Sequence, residues 1–131
     1  MIADASALVG ILAEEPDAHA LLVRLGQHPV RYTHGISIFE TVAALMRIGG
    51  RPRDVVERVV IRFLSQSEID LLAIGPAETA AALDAFARYG KGRHPAALNM
   101  GDCFSYACAR TRGMPLLYKG EDFAKTDLAP A

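Results

Sequence analysis

Four acidic residues, Asp4, Glu40, Asp102 and Asp122, are spread along the 131-residue chain where a strand is expected to end or a helix to begin. Taken singly, each has an ordinary use. Glu40 and Asp102 fit the first turn of a helix, where free N–H groups and the helix dipole favour a carboxylate, and Asp4 and Asp122 fit caps. Brought into one crevice they would do something else. Like charges a few ångströms apart repel, and a site that tolerates such crowding usually holds a cation. Ligands that are all oxygen suit the hard, octahedral Mg²⁺ or Mn²⁺, which keep waters and meet phosphate oxygens. Carboxylates with one or two such ions suit in-line displacement at phosphorus.

Whether the four acids meet depends on the elements that carry them. Met1–Asp4 reads as a short strand ending on a carboxylate, followed by an apolar helix over Ser6–Ala13. Glu14, Glu15, Pro16 and Asp17 open a second helix, with Ala18, Leu21, Leu22 and Leu25 at helical spacing. Gly26–Pro29 stops it, and Val30–Thr33 is a second strand. Ser37-Ile38-Phe39-Glu40 has the pattern of a capping box at the head of a helix running to Ile48. Gly49-Gly50 ends that helix, and Pro52 begins another with an apolar stripe of Val55, Val56, Val59, Val60, Phe63 and Leu64.

Ile69–Ile74 is a third strand, and Pro76–Tyr89 a helix expected to turn Ala80, Leu83, Phe86 and Ala87 inward. After a loop over Gly90–Ala97, Asn99 caps a helix with Asp102 in its first turn. That helix breaks at Gly113-Met114-Pro115, a strand follows over Pro115–Tyr118, and Glu121 and Asp122 lie just beyond it. Strands alternating with helices predict an α/β domain with a mainly parallel sheet. In such sheets ligands bind beyond the carboxyl ends of the strands, the edge to which all four acids belong.

Composition sets the outer limits. With 51% apolar and 22% charged residues the chain reads as one globular domain over 1–131 rather than a disordered segment. A net charge of −1 excludes a broadly basic nucleic-acid binder and leaves room for a local basic patch. No apolar run approaches the ~18–20 residues that span a bilayer. The start Met1-Ile2-Ala3-Asp4 lacks the pattern of a signal peptide, so a cytoplasmic address with no membrane contact is expected. Cys103 and Cys108, five apart on one helix, point away from each other and read as small buried residues rather than a disulfide or a zinc site.

At these same residues the chain resembles a known family. Met1-Ile2-Ala3-Asp4-Ala5-Ser6-Ala7-Leu8, Ser37-x-x-Glu40, Leu98-Asn99-x-Gly101-Asp102-Cys103-Phe104-x-Tyr106-Ala107 and Leu116-Leu117-Tyr118-Lys119-Gly120-Glu121-Asp122-Phe123 are similar to the PIN-domain ribonucleases. The likeness is greatest to the VapC toxins of bacterial toxin–antitoxin pairs. The resemblance implies a three-layer α/β/α domain around a central parallel sheet, and an endoribonuclease using Mg²⁺ or Mn²⁺ to leave 5′-phosphate and 3′-hydroxyl ends. It implies Asp4 and Asp102 as main metal ligands, with Glu40 and Asp122 completing the catalytic set. Ser6, Asn99 and Glu121 would support them. It also implies a VapB-type antitoxin over the site, and a homodimer. Ala5 stands where Ser or Thr is often found, and Glu121 where Asp or Asn is usual, so the division of roles between Glu121 and Asp122 stays open.

RNA must also be held. Arg88, Lys91, Arg93 and His94 surround a Gly-rich loop with no acid between Phe86 and Gly101, a candidate rim for phosphates. His19, His28 and His34 read as surface or capping residues. Three rivals remain. A metal-free nuclease would use His34 and His94 as base and acid. A phosphoacceptor switch on a similar sheet would phosphorylate Asp4 or Asp102, although Ala3 and Ala5 flank Asp4 where such switches keep a second acid. A catalytically silent PIN-like binding module would be expected to have lost acids that are present here.

Overall fold

Each strand of the central sheet is short, and successive side chains alternate between its two faces. In the computed structural model, which describes residues 1–131, the strands are β1 (Ile2–Ala3), β2 (Arg31–His34), β3 (Ile69–Leu72) and β4 (Leu116–Leu117). They run in the order β3-β2-β1-β4, with every pair parallel and Ile2 level with both Tyr32 and Leu116. The chain steps outward from β1 to β2 to β3 and then returns to the other side of β1. That reversal opens a crevice beyond the carboxyl end of β1. The C-terminal residues cover the β4 edge, where Leu116 N–H donates to Ala129 and Ala131 N–H donates to Leu116.

Alternation along the strands feeds two cores, one on each face. Ile2 and Leu116 pack with α5 (Pro76–Tyr89) and α6 (Met100–Arg112) through Ala82, Ala85, Cys103, Tyr106 and Cys108. Ala3 and Leu117 pack with α1 (Ala5–Leu12), α2 (Ala18–Gly26) and α4 (Arg53–Gln66) through Leu8, Ile11, Leu21, Leu25, Val56, Val60 and Leu64. Helix α3 (Gly35–Gly49) leans on α1 and α4 and reaches α6 across the crevice. The result is the expected three-layer α/β/α arrangement with a fully parallel sheet. Cys103 and Cys108 are buried thiols, as expected.

Three sequence expectations shift in register. The capping box at Ser37–Glu40 does not form: His34 is the N-cap of α3, its ring accepting from Ser37 N–H, so Glu40 lies in the second turn rather than the first. On α5 the inward face is Glu78, Ala82 and Ala85, whereas Ala80, Leu83, Phe86 and Ala87 all face solvent, Leu83 being 67% exposed. The buried positions follow i, i+4, i+7, and Glu78 fixes that register by accepting from Gly75 N–H and from the Thr111 hydroxyl of α6. Close α5–α6 packing then favours alanine at the seam. Asp122 precedes a one-turn 3₁₀ helix over Phe123–Lys125 but makes no capping hydrogen bond with its side chain.

Candidate active site

Asp4 leaves β1 as the N-cap of α1, and its carboxylate is held at both ends. Oδ2 accepts from the Ser6 N–H at 2.9 Å and the Ser6 hydroxyl at 2.5 Å, and Oδ1 accepts from the Ser105 hydroxyl of α6 at 2.6 Å. Ser6 Oγ in turn accepts from Lys119 N–H at 3.0 Å, which ties the loop after β4 to the same point. Ala5 offers no hydroxyl; Ser105, one turn beyond Asp102 on α6, supplies one from across the crevice.

Asp102 caps its own helix. Asn99 N–H donates to Asp102 Oδ2 and Asp102 N–H donates to Asn99 Oδ1, both at 2.9 Å, a reciprocal box that forms where the sequence places it. Burial nevertheless pushes the Asp102 carboxyl up to about 6 against the pull of the Asn99 N–H, and the charges of Asp4 and Asp122 add to the rise. Burial, then Asp4 and Asp102, push Glu40 up to about 7, with no hydrogen bond to offset them. Glu40 lies directly over Gly101, where an added Cβ would stand 2.0 Å from its Oε1. Asp4 and Asp102 thus act on Glu40, and Asp4 and Asp122 act on Asp102, which links the four acids about one crevice.

No lysine or arginine forms an ion pair with Asp4, Glu40, Asp102 or Asp122; every ion pair of the chain lies elsewhere. The carboxylates are neighbours without being drawn into a grip, since no three acidic, histidine or cysteine side chains are placed to hold one ion. Two of them are turned toward donors of the protein, Asp4 to Ser6 and Ser105 and Asp102 to Asn99. The donor set, all oxygen and in no ion pair with a protein cation, is chemically suited to a hard divalent cation. A groove of about 610 Å³ adjoins the crevice, lined by Ser6, Phe39, Glu40, Arg47 and Lys119 among others.

The basic loop is less uniform than its sequence. Lys91 and Arg93 are exposed, the Arg93 guanidinium resting 5.4 Å from the centre of the Phe86 ring. Arg88 is committed to a clamp instead, donating to Asp127 and Tyr89 and pairing with Asp84. His94 is half-buried, accepting from Ala96 N–H while its ring meets Tyr89 edge-on. His34 is fully buried and faces Ser105 and Ser37, so it cannot serve as a base or acid at a phosphate. The capping role open to His34 in the sequence is the one it takes at α3, whereas the roles of Gly101 and Ser105 were not read from the sequence. Their signals were faint: a glycine inside a helix, and a serine one turn after Asp102.

A parallel sheet with carboxylates gathered at its switch point fits one class of protein, and the chain belongs to it: the PIN domain, whose family profile matches residues 1–128. Within this family it groups with the VapC ribonucleases. It is 44% identical over 129 residues to Ribonuclease VapC of Mycolicibacterium smegmatis, covering 98% of each chain. It is 41% identical to Ribonuclease VapC30 of Mycobacterium tuberculosis, covering 98% of this chain and 96% of that one. In fold it matches the crystal structure of Mycobacterium tuberculosis VapC20, described as a sarcin–ricin loop cleaving toxin. The TM-score is 0.78 over 99% of this chain and 97% of that one, at 15% identity.

Proposed function

We propose that this chain is a metal-dependent endoribonuclease, the toxin of a VapBC-type toxin–antitoxin pair, folded as one domain over 1–131 and acting in the cytoplasm. The observation that carries the reading is the crevice of Asp4, Glu40, Asp102 and Asp122, none of them in an ion pair with a protein cation, in a chain that belongs with ribonucleases. These four would hold Mg²⁺ or Mn²⁺. Such an ion, when bound, lowers the pKa of its water and offsets charge on the phosphoryl oxygens. The protein's part is placement. Ser6 and Ser105 fix Asp4, Asn99 fixes one oxygen of Asp102, and Gly101 leaves room for Glu40.

Lys91 and Arg93 remain the loop cations free to meet RNA phosphates, with Arg47 at the far end of the adjoining groove. A VapB-type antitoxin would satisfy the crevice with a basic side chain, most aptly an arginine that pairs bidentately with carboxylates. Exposed apolar residues on α3 and α4, with Phe39 at 73% and Ile48 at 62%, offer a face to that antitoxin or to a second copy in a homodimer. No helix of the chain is long and apolar enough to cross a membrane.

Cleavage of RNA by the purified protein tests the reading. Activity is expected with Mg²⁺ or Mn²⁺ and lost with EDTA. Asp4→Asn and Asp102→Asn are expected to reduce cleavage below detection while circular dichroism stays native. Undiminished cutting in EDTA, or by either variant, overturns it.

A further inference from the structure

Behind Asp4 lies a buried polar chain that the proposed chemistry does not use. Ser37 N–H donates to His34 Nδ1 at 3.2 Å, so that nitrogen carries no proton. Burial lowers the pKa of the His34 ring, and a neutral ring must then carry its proton on Nε2. Nε2 sits 3.0 Å from Ser105 Oγ, and Ser105 Oγ–H donates to Asp4 Oδ1 at 2.6 Å. Ser37 Oγ closes the cluster at 3.1 Å from His34 Nε2 and 3.3 Å from Ser105 Oγ. His34, Ser37 and Ser105 are each 0% exposed, so water does not compete for these bonds.

The donors all run one way. A proton on His34 Nε2 is shared between Ser105 Oγ at 3.0 Å and Ser37 Oγ at 3.1 Å, so Ser105 Oγ accepts on that side and its own proton is left for Asp4. Without the histidine, the hydroxyl is free to rotate toward Ser37, and Asp4 Oδ1 loses its only protein donor. We propose that His34 and Ser105 are positioning residues, a relay from the head of α3 through α6 that fixes the orientation of the Asp4 carboxylate and thereby its affinity for a divalent cation. The proposal rests on the metal-binding reading given above. Outer hydrogen bonds of this kind typically set metal affinity by about 10-fold or more.

Two substitutions at His34 separate the relay from the cap. His34→Asn keeps an acceptor where Nδ1 caps α3 but has no donor that reaches Ser105; His34→Gln reaches Ser105 with its amide but abandons the cap. Mn²⁺ binding, followed by the electron paramagnetic resonance of free Mn²⁺, and thermal melting are measured on wild type, Asp4→Asn, Ser105→Ala and both His34 variants. The expected result is crossed. His34→Asn and Ser105→Ala bind Mn²⁺ about 10-fold more weakly with melting close to wild type, whereas His34→Gln melts lower but keeps its affinity. A purely structural role predicts that affinity and melting fall together, and that result overturns the relay.

Nitrogen-15 spectra of the metal-free protein give a second, independent readout. They are expected to place the His34 proton on Nε2 and to move that signal in Ser105→Ala; a proton on Nδ1 overturns the relay whatever the metal does. Wild type that binds no Mn²⁺, or binds it equally in Asp4→Asn, overturns the metal reading and the relay's effect on affinity with it. Wild type with Asp4-dependent binding, and relay variants within twofold of it, overturns the relay alone.

Discussion

Burial and the charges of Asp4 and Asp102 push the Glu40 carboxyl from 4.5 up to about 7, and no donor of the protein opposes them. A raised folded pKa means that the native state holds more protons than the unfolded chain between those two values. The stabilisation from that proton is complete below the unfolded pKa and is lost as pH rises through the folded one. Asp102, raised from 3.8 to about 6, follows the same sign over a lower window. Glu40 and Asp102 are therefore expected to make the metal-free protein melt at progressively lower temperature as pH rises from about 4.5 to about 7.5, against the opposite contribution of buried His34, whose lowered pKa favours the fold as pH rises. Glu40→Gln should flatten that fall and raise the melting temperature near pH 7.5 by roughly 2–4 °C, the shift that about 1 kcal/mol produces in a domain near this size. Solvent screening of a half-buried group holds the effect to that scale. Added Mg²⁺ should stabilise the variant less than wild type. Melts across pH in EDTA check this, and an unchanged slope in Glu40→Gln would sink it. Asp102→Asn is the poorer probe, because its Oδ2 also accepts the Asn99 N–H and the two effects oppose.

Helix ends, more than helix bodies, build this crevice. Asp4 starts α1, His34 starts α3 and Asp102 lies in the first turn of α6, so three caps converge beyond the sheet. Because α3 starts at His34 rather than at Ser37, Glu40 sits in the second turn, where it can lie over the first turn of α6. That approach requires Gly101. An alanine there would place its Cβ 2.0 Å from Glu40 Oε1, 2.5 Å from Cδ and 2.6 Å from Oε2. All three atoms are the far end of a flexible side chain, so the helix itself should tolerate the change. Alanine is also favoured over glycine in a helix by up to ~1 kcal/mol. Gly101→Ala is thus expected to melt at or above wild type in EDTA while displacing Glu40 and lowering RNA cleavage on the order of 10²-fold. Paired melts and cleavage rates decide it; a variant as active as wild type would mean that Glu40 is not needed where it lies.

At the scale of the whole molecule, ion pairing sorts the cations into structural and available. Arg88 and Arg110 are spent on Asp127, whose carboxylate also accepts from the Tyr106 hydroxyl at 2.7 Å, and Lys119 is spent on Glu15 and Asp17. Lys91 and Arg93 pair with no acid, although the chain is net −1. Replacing both with Ala should lower the slope of log affinity for RNA against log salt by roughly 1–2 and leave Mn²⁺ affinity unchanged. Arg88→Ala should instead lower the melting temperature, by loosening Asp127, with the salt slope intact. Binding isotherms at several salt concentrations distinguish them, and an identical slope in the double variant would remove the loop from the RNA path.

Local rules carried much of this protein. Period-2 and period-3.6 patterns, Gly and Pro breaks and the Asn99–Asp102 box gave the order of strands and helices, because each depends on neighbours within about one turn of chain, and that alternation in turn pointed to a parallel sheet and to the edge beyond its strands. Motif spacing pointed to the four carboxylates and to Ser6 as a support for Asp4. What no local rule contains is which residues oppose one another across the crevice. Ser105 and Asp4 are 101 positions apart in sequence and 2.6 Å apart in space. Glu40 meets Gly101 only because α3 crosses α6, and on α5 the seam chose Ala82 and Ala85 over the larger Leu83 and Phe86. Arg88 looked like its neighbours in the basic loop until Asp127, brought back by the C-terminal segment, claimed it. Packing decides these matters because space and counter-charge at a buried site are supplied by the partner element, and the sequence near the residue does not record its partner.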